Sequence, residues 1–498
     1  MIKEIQPNLP VQLIPVKGSS EYTKFHDFYE MFDTILLQSN LDLKFAELYV
    51  EAIKREHEAK NPEYLMSDDK KTYYQAQGVE AFRCNLVRDR EQYSYVNLSK
   101  NLGANQVLQR FCKLREVDLI SVPSSSQVQR YATLVPAEEL QKIHDNFNQI
   151  LYTDQRFLGN IQAGDLYLDS TCVKANMHYP VDWVLFRDAS STMTKAITLI
   201  RDAGLKCRMK SPDEFMRDMN GLCIKMSSSM RKHDKKKSRK AVLREMKKLL
   251  KLIRNHAQNH LELFKINWEK TAYSAGQAQS IITRLERMIE FVPDVIKQAH
   301  ERIIGERQVD NADKILSLYQ EDVHVVKRRK AEAHNEFGSQ LLLAEQIDGF
   351  ITDFEFEKEK ISNDSKMLSK VIDNYESKFG EAPESITTDR GFSSPKNTKL
   401  LKKKKIFNAI CPKSVTELKE KMRDKKFRDK LKRRGPNEAR VGIVKNNFLS
   451  GALKAFGYDR RHTGISWGIL THNLTKLTVM YKQKLDAEAK EHLKQQAA

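Results

Sequence analysis

The stretch Gly164-Asp165-Leu166-Tyr167-Leu168-Asp169 decides the fold class, because it is where a long helical pattern first gives way to a strand. Its two leucines alternate with other residues, and this period of two predicts a short strand that ends in Asp169. A second short strand, Ser385–Thr388, is followed directly by another acid, Asp389. Ligand sites in open α/β sheets lie at the carboxyl ends of strands. The two carboxylates therefore converge if the strands are neighbours.

A third acid, Glu438, lies in a predicted helix that opens after Pro436 and whose apolar residues face inward. From such a helix its side chain can reach the sheet edge near Asp169 and Asp389. Three carboxylates on different elements suit Mg²⁺, which prefers hard oxygen ligands. Phosphodiester chemistry uses such a site, because one ion activates the attacking water or 3′ hydroxyl and a second stabilises the leaving oxygen. Any one of these acids alone is more often a cap or a solvated turn residue.

The elements around the acids alternate between strand and helix. They comprise a helix from about Trp183 to Gly204, a hairpin of strands at 338–344 and 349–356, a helix at about 364–378 and a strand at 406–410. Asp389 follows Asp169 by 220 positions (389 − 169), far more than a hairpin and one helix require. The stretch from about Ser211 to Gln320 is helical, with apolar residues at spacings of three and four. We therefore predict a helical insertion into the catalytic fold.

Residues from Glu21 to about Gln162 form a separate helical pattern. Within it, residues 93–134 are predicted to form three short helices. The turn and cap residues between them are typical of a helix-turn-helix. In that arrangement Gln129 and Arg130 face a DNA groove. A plain helical bundle explains the same pattern equally well.

The composition indicates a polyanionic partner. Eighty-five Lys and Arg against sixty-six Asp and Glu leave a net charge of +19, which favours nucleic acid over a neutral metabolite. No stretch approaches eighteen consecutive apolar residues, which argues against a membrane-spanning helix. Six scattered cysteines without a Cys-x-x-Cys pair are typical of reduced thiols in a cytoplasm.

The sequence motifs around the three acids resemble those of the DDE transposases of bacterial insertion sequences. Residues 169–182, Asp-Ser-Thr-Cys-Val-Lys-Ala-Asn-Met-His-Tyr-Pro-Val-Asp, are similar to that family's first motif, with Val181 where the family has Thr. Residues 330–343 are similar to the segment that leads into its second strand. Thr388-Asp389-Arg390-Gly391-Phe392 matches its second motif, and residues 438–445, Glu-Ala-Arg-Val-Gly-Ile-Val-Lys, resemble its third.

Some relatives carry Tyr, Arg, Glu and Lys at set offsets in the third motif. Arg434, Glu438 and Lys445 occupy three of these offsets, whereas Leu431 stands at the Tyr position. Gly435 and Pro436 predict that Arg434 lies outside the helix. The resemblance covers about three quarters of the chain and implies an RNase H-like catalytic fold, with Asp169, Asp389 and Glu438 as catalytic residues and metal ligands.

We therefore predict an α/β RNase H-like catalytic domain with a long all-helical insertion, plus an all-α N-terminal DNA-binding domain. The expected bounds are 1–162 for the N-terminal domain, 163–204 and 323–480 for the catalytic domain, 205–322 for the insertion and 481–498 for a polar tail. The expected function is a DNA transposase that cleaves strands at element ends and transfers them into target DNA. A non-catalytic, domesticated DNA-binding relative and an RNase H-like nuclease without strand transfer remain alternatives.

The expected cofactor is Mg²⁺, two ions, with Mn²⁺ as a substitute. Expected partners are double-stranded DNA, as terminal inverted repeats and target, and further copies of the chain in a dimer or larger synaptic assembly, with no membrane. Basic runs at 399–405 and 421–434 lie between the second and third acids, while the run at 231–240 is either a phosphate-binding or a solvated segment. The DNA-contacting residues we expect are Gln129, Arg130, Arg390, Lys402, Lys404, Arg434, Arg440 and Lys445. The expected location is the nucleoid of a prokaryotic cytoplasm.

Overall fold

The computed structural model divides into two compact units, one running to Val173 and resuming at Gln340, the other spanning Lys174–Ser339. It describes residues 18–114, 120–154, 156–159, 161, 163–229, 235–311, 313–327, 335–359 and 364–496. Residues 231–234 of the basic run and 330–334 of the predicted strand lead-in lie outside this range. In the described part of the chain, no helix is long and apolar enough to cross a membrane.

The first unit begins with helices only. They are α1 (Ser20–Ser39), α2 (Leu41–Glu58), α3 (Asp68–Arg90), α4 (Tyr95–Ala104), α5 (Gln106–Phe111), α6 (Ser125–Thr133) and α7 (Ala137–Asn148), followed by a π-helical turn, Gln149–Asp154. Serine side chains cap α1, α3, α4 and α6 by accepting a backbone N–H, which explains where these helices begin. The predicted third helix of the helix-turn-helix starts two residues earlier than expected, at Ser125.

The buried apolar faces of these helices form one core with the long C-terminal helix α17 (Tyr458–Gln496). Trp467 of α17 is fully buried, with its ring centroid 5.1 Å from that of Phe45 and 5.6 Å from that of Phe82. Aromatic burial of this kind contributes strongly to a core. The N-terminal helices α1 to α7 thus share their hydrophobic core with the C-terminal helix.

A mixed sheet follows in the same unit. Its strands are β1 (Asp165–Lys174), β3 (Asn335–Glu345), β4 (Ile351–Phe356), β5 (Ser385–Thr388) and β6 (Phe407–Ile410). They lie in the order β3–β1–β5–β6, and β4 pairs with β3 as an antiparallel hairpin. β1, β5 and β6 are parallel. The predicted strand at 385–388 is observed with the same bounds.

Helices cover both faces of the sheet. They are α12 (Leu368–Phe379), α13 (Pro395–Lys403), α14 (Val415–Lys421), α15 (Lys425–Asn447) and α16 (Ser450–Lys454), besides α17. Leu168 and Ile386 face α12 and α13, whereas Leu341 and Leu343 pack with Val441 and Val444 of α15. The helix that carries Glu438 therefore rests on the opposite face from α12.

Two predicted boundaries in this unit are wrong. β1 does not end at Asp169 but continues to Lys174, and its further residues Thr171, Cys172 and Val173 are all buried. α15 does not begin after Pro436 but eleven residues earlier, at Lys425, where the Asp424 side chain caps it. Pro436 lies inside the helix, so Arg434 is helical rather than outside.

The second unit is a helical bundle with a short strand. It contains α8 (Asp182–Asp202), α9 (Pro212–Ser229), α10 (Lys235–Asn267), α11 (Ala275–Ala299) and β2 (His324–Lys327), which pairs with the first residues of β3. The predicted insertion begins at residue 205, whereas α8 belongs to the same core as α9, α10 and α11. The chain enters and leaves this unit at one place, because the backbone N–H of Ala175 donates to the carbonyl of Phe337 at 3.0 Å.

Candidate active site

Asp169 and Asp389 lie side by side on neighbouring parallel strands. The register pairs Leu168 of β1 with Thr388 of β5, and each aspartate is the next residue of the chain, Asp169 within β1 and Asp389 immediately after the end of β5. Paired residues on adjacent strands point to the same face, with the strands about 4.8 Å apart. The two carboxylates are therefore brought together, as the sequence predicts.

Glu438 approaches from α15, which packs against β5 and β6. Its side chain is 53% exposed and forms an ion pair with Arg434, one turn earlier on the same helix. This pairing exists because the helix continues through Gly435 and Pro436, so positions 434 and 438 share a face.

The negative charge of the neighbouring carboxylates affects the pKa of Asp169. The pKa of Asp169 is raised to about 6, first by burial and then by the negative charges of Asp389 and Glu438, while Arg434 opposes the rise. Glu438 and Asp389 thus both lie within electrostatic reach of Asp169. Carboxylates that repel one another in this way favour a bound cation.

In the structure each carboxylate is held by a local partner. Asp389 Oδ1 accepts the backbone N–H of Gly391 at 2.8 Å, Asp169 Oδ1 accepts that of Ser170 at 2.9 Å, and Glu438 is turned toward Arg434. Accordingly, no group of three or more His, Cys, Asp or Glu side chains among the described residues is arranged to hold a metal ion. The donors are of the type that Mg²⁺ prefers, and Glu438 would have to exchange Arg434 for the ion.

Comparison with known families agrees with this geometry. Residues 323–491 match the family model described as "Transposase DDE domain". This segment is similar to a transposase DDE domain. The match covers Asp389 and Glu438, while Asp169 lies before it. No curated protein and no solved structure matches the chain significantly.

The family implies an RNase H-like fold, and the mixed sheet flanked by helices on both faces agrees with it. The match supports a DDE-type transposase over this part of the chain, and the family implies DNA binding. The resemblance to DDE transposases that the motifs indicate is confirmed for residues 323–491.

Glu345, at the end of β3, anchors the helix of the DDE domain that carries Glu438. Its side chain is 3% exposed and accepts a hydrogen bond from Asn437 Nδ2 at 2.8 Å. Arg440 Nε lies 3.6 Å from the other carboxylate oxygen. Asn437 and Arg440 flank Glu438, so this buried acid fixes the segment of α15 on which Glu438 stands. Burial raises the pKa of Glu345, against the opposing effects of the Asn437 hydrogen bond and the Arg440 charge.

Arg440 is also packed against the β3–β4 turn. Gly349 has a φ of +90°, and a Cβ at this position would lie 2.5 Å from the Arg440 guanidinium. At the other end of the helix, Lys430 forms an ion pair with Asp165 at the start of β1. α15 is therefore tied to two strands of the sheet by partly or fully buried polar contacts.

Asp364 is a further acid near the site that the sequence did not indicate. Its Oδ2 accepts the Ser170 hydroxyl at 2.9 Å, and its Oδ1 accepts the side-chain amide of Gln340. Ser170 follows Asp169 in β1, so the two point to opposite faces of the sheet. The contact holds β1 to β3 directly behind Asp169.

The expected DNA-contacting residues fall into two groups by their surroundings. Gln129, Arg390 and Lys402 are exposed, as is Arg130, although its guanidinium pairs with Glu56 across a surface pocket. Lys404 pairs with Glu376 at 2.6 Å and with Asp373 at 3.4 Å, while Arg434 and Arg440 pair with Glu438 and Glu345. Lys445 is half-buried on α15, seven residues after Glu438.

Proposed function

We propose that this transposase cleaves DNA at the ends of a bacterial insertion sequence and joins the freed strands to target DNA, with Asp169, Asp389 and Glu438 as catalytic residues. The observation that carries the proposal is the register of β1 and β5, which pairs the residues immediately before the two aspartates, together with the electrostatic effects of Asp389 and Glu438 on Asp169. Three carboxylates on three elements form the donor set that metal-assisted phosphoryl transfer requires.

We propose that the three carboxylates hold Mg²⁺, two ions, with Mn²⁺ as a substitute. When bound, such ions lower the pKa of the attacking water or hydroxyl and stabilise the leaving oxygen. In the metal-free protein Arg434 neutralises Glu438 and reduces repulsion within the cluster. Glu345 keeps the α15 segment in place through Asn437 and Arg440, so that Glu438 remains beside the aspartates when its partner changes.

We also propose where DNA binds on the first unit. The exposed Arg390 directly follows Asp389, and the exposed Lys402 lies on α13, the helix after the second motif. Gln129 and Arg130 on α6 are proposed to contact terminal-repeat DNA from the helical N-terminal segment. Because Arg130, Arg434, Arg440 and Lys404 already pair with acids, their proposed DNA contacts require those pairs to open. We further propose a dimeric or larger assembly in the cytoplasm, since two element ends must be joined.

The test is cleavage of labelled terminal-repeat DNA, taken from the nucleotides that flank the coding region, in the presence of Mg²⁺. Asp389→Asn keeps size and hydrogen bonding but removes a charge, so cleavage should fall roughly a thousandfold while binding in a gel shift survives. Asp169→Asn and Glu438→Gln should behave alike. Asp486→Asn removes an exposed acid of α17 and should leave cleavage unchanged.

Near-normal cleavage by all three active-site variants would overturn the proposed catalytic residues. Joined products in the wild-type reaction distinguish strand transfer from hydrolysis alone.

A further inference from the structure

The helix α10 of the second unit carries most of the excess positive charge of its bundle. It contains eleven Lys and Arg against two Glu, a net charge of +9. The other three helices of the bundle are nearly balanced: three basic and three acidic residues in α8, two and three in α9, and three and three in α11. The charge is therefore a property of this one helix rather than of the bundle.

More than half of these cations have partners within the second unit. Lys236 and Lys240 pair with Glu306, Lys247 contacts His300 at 2.6 Å, Arg254 donates to the carbonyl of Ile289, Lys265 pairs with Glu286, and Arg239 lies over the ring of Trp183. These six side chains bind the helix to its neighbours. Contacts within the second unit therefore explain why these six residues are basic.

Of the other five, the side chain of Lys235 lies outside the described residues, and four are exposed: Lys237, Arg244, Lys248 and Lys251. Among the described residues, none of the four has a hydrogen bond or ion pair to an acid. At 3.6 residues per turn and 1.5 Å per residue they lie within about 60° of arc and span about 21 Å along α10. We call these four residues the α10 stripe. The opposite face of the helix is buried through Leu243, Met246, Leu250 and Ile253.

The stripe carries an electrostatic cost in the free protein. Arg244 and Lys248 are four residues apart and repel each other, because like charges at this spacing destabilise a helix. Burial and the neighbouring charge of Lys251 lower the pKa of Lys247. A helix that served only as a solvated surface would be stabilised by acids among its exposed basic residues. α11 has this composition, with three acidic and three basic residues. The arrangement fits a ligand that is itself a regular row of negative charges.

We propose that the α10 stripe is a second DNA-binding surface of this protein, which contacts the phosphate backbone of duplex DNA without reading its sequence. Duplex DNA carries one charge per about 1.7 Å of its axis, so a stripe about 21 Å long faces roughly twelve phosphates on the two strands. Lys and Arg side chains without acidic partners can contact them without first breaking an ion pair. The proposal takes DNA as the partner from the proposed function and assigns a role to the helical insertion.

The test compares two full-length variants with the same loss of charge. The stripe variant carries Lys237→Gln, Arg244→Gln, Lys248→Gln and Lys251→Gln. The control variant carries Lys195→Gln, Arg217→Gln, Lys225→Gln and Arg284→Gln, four exposed cations of the same unit that lie outside α10. Glutamine favours helix about as well as lysine, so both proteins should fold, which circular dichroism checks.

The readout is the affinity for a duplex of mixed sequence over a range of NaCl concentrations. Each phosphate contact contributes about 0.9 to the slope of log Kd against log salt, so the stripe variant should lose about 3 to 4 in slope, and its Kd at low salt should rise roughly a hundredfold. The control variant should keep the wild-type slope. Equal losses in the two variants would attribute the effect to net charge and overturn the proposal, as would an unchanged slope in the stripe variant.

Failure of this inference is distinguishable from failure of the proposed function. Cleavage by the active-site variants tests the carboxylates, whereas the salt dependence of binding tests the stripe. A stripe variant that binds DNA like the wild type while Asp389→Asn abolishes cleavage would overturn only the role of α10. Binding of the stripe to anionic lipid vesicles but not to DNA would also overturn it.

Discussion

The carboxylate of Glu345 accepts the side-chain amide of Asn437 at 2.8 Å, and this hydrogen bond joins the end of β3 to the residue before Glu438. Glu345→Gln keeps an acceptor for Asn437 but removes the charge that faces the Arg440 guanidinium. We expect cleavage to fall about 10- to 100-fold, as is usual for residues that orient a metal ligand. The apparent Mn²⁺ affinity measured in the cleavage assay should weaken in parallel.

The matched control for Glu345→Gln is Asp182→Asn. Asp182 is also a buried acid that pairs with an arginine, Arg302, but it lies in the second unit. Both variants should lower the melting temperature, and only Glu345→Gln should change the Mn²⁺ dependence of cleavage. The same Mn²⁺ dependence in both would reduce Glu345 to a stabilising role.

Asp169 makes the metal-free protein less stable at neutral pH. Because its pKa is raised from 3.8 to about 6, the folded state binds the proton more tightly than the unfolded state, and stability falls as the pH rises between these values. Asp169→Asn should therefore raise the free energy of unfolding at pH 7 by at most about 3 kcal/mol. The melting temperature should rise with it. Thermal unfolding in the presence of a chelator measures it. The gain should vanish near pH 3, and a gain that is independent of pH would contradict the assignment.

If Glu438 binds a metal ion as proposed, Arg434 competes with that ion for its carboxylate. Arg434→Gln removes the ion pair, increases repulsion among the carboxylates and should lower the melting temperature without metal. The increase in melting temperature on adding Mn²⁺ should then be larger than in the wild type. In Glu438→Gln the Mn²⁺ effect should be smaller than in the wild type. An identical Mn²⁺ effect in Arg434→Gln and the wild type would show that Glu438 does not exchange partners.

Gly349 and Gly380 provide a matched pair for the packing of Arg440. Both have positive φ, at +90° and +78°, but a Cβ would collide with the Arg440 guanidinium only at 349. Gly380→Ala should cost about 1 kcal/mol from backbone strain alone. Gly349→Ala should cost more and should also reduce cleavage, because Arg440 must move. Denaturant unfolding measures the first effect, and equal costs at the two positions would contradict the contact.

Local sequence patterns predicted much of the sheet and the two aspartates. The strand Ser385–Thr388 was predicted with its observed bounds, because three consecutive β-branched residues, 386–388, follow turn signals. The extension of β1 beyond Asp169 was missed, since Ser170 and Thr171 interrupt the apolar run that ends at Leu168. β2 was missed because four residues are too few to define a period.

The anchors of Glu438 could not be predicted in this way. Glu345 and Asn437 are 92 positions apart, and nothing in the sequence near either residue indicates the other. The start of α15 was misplaced because Gly435 and Pro436 usually end or begin a helix. Here Phe427 is buried beneath the first turns, and this tertiary contact outweighs the local preference.

The hydrogen bond between Ala175 and Phe337 has a consequence for how this architecture could change over evolutionary time. Ala175 directly follows β1, and Phe337 lies in β3. These two strands are neighbours in the sheet, and a tight turn could also connect them. The entropic cost of closing a loop rises by only about 0.6 kcal/mol for each doubling of its length. A lineage could therefore lengthen, shorten or exchange the whole inserted unit at little cost to the sheet. Target choice and assembly could diversify there while the phosphoryl-transfer chemistry stayed constant.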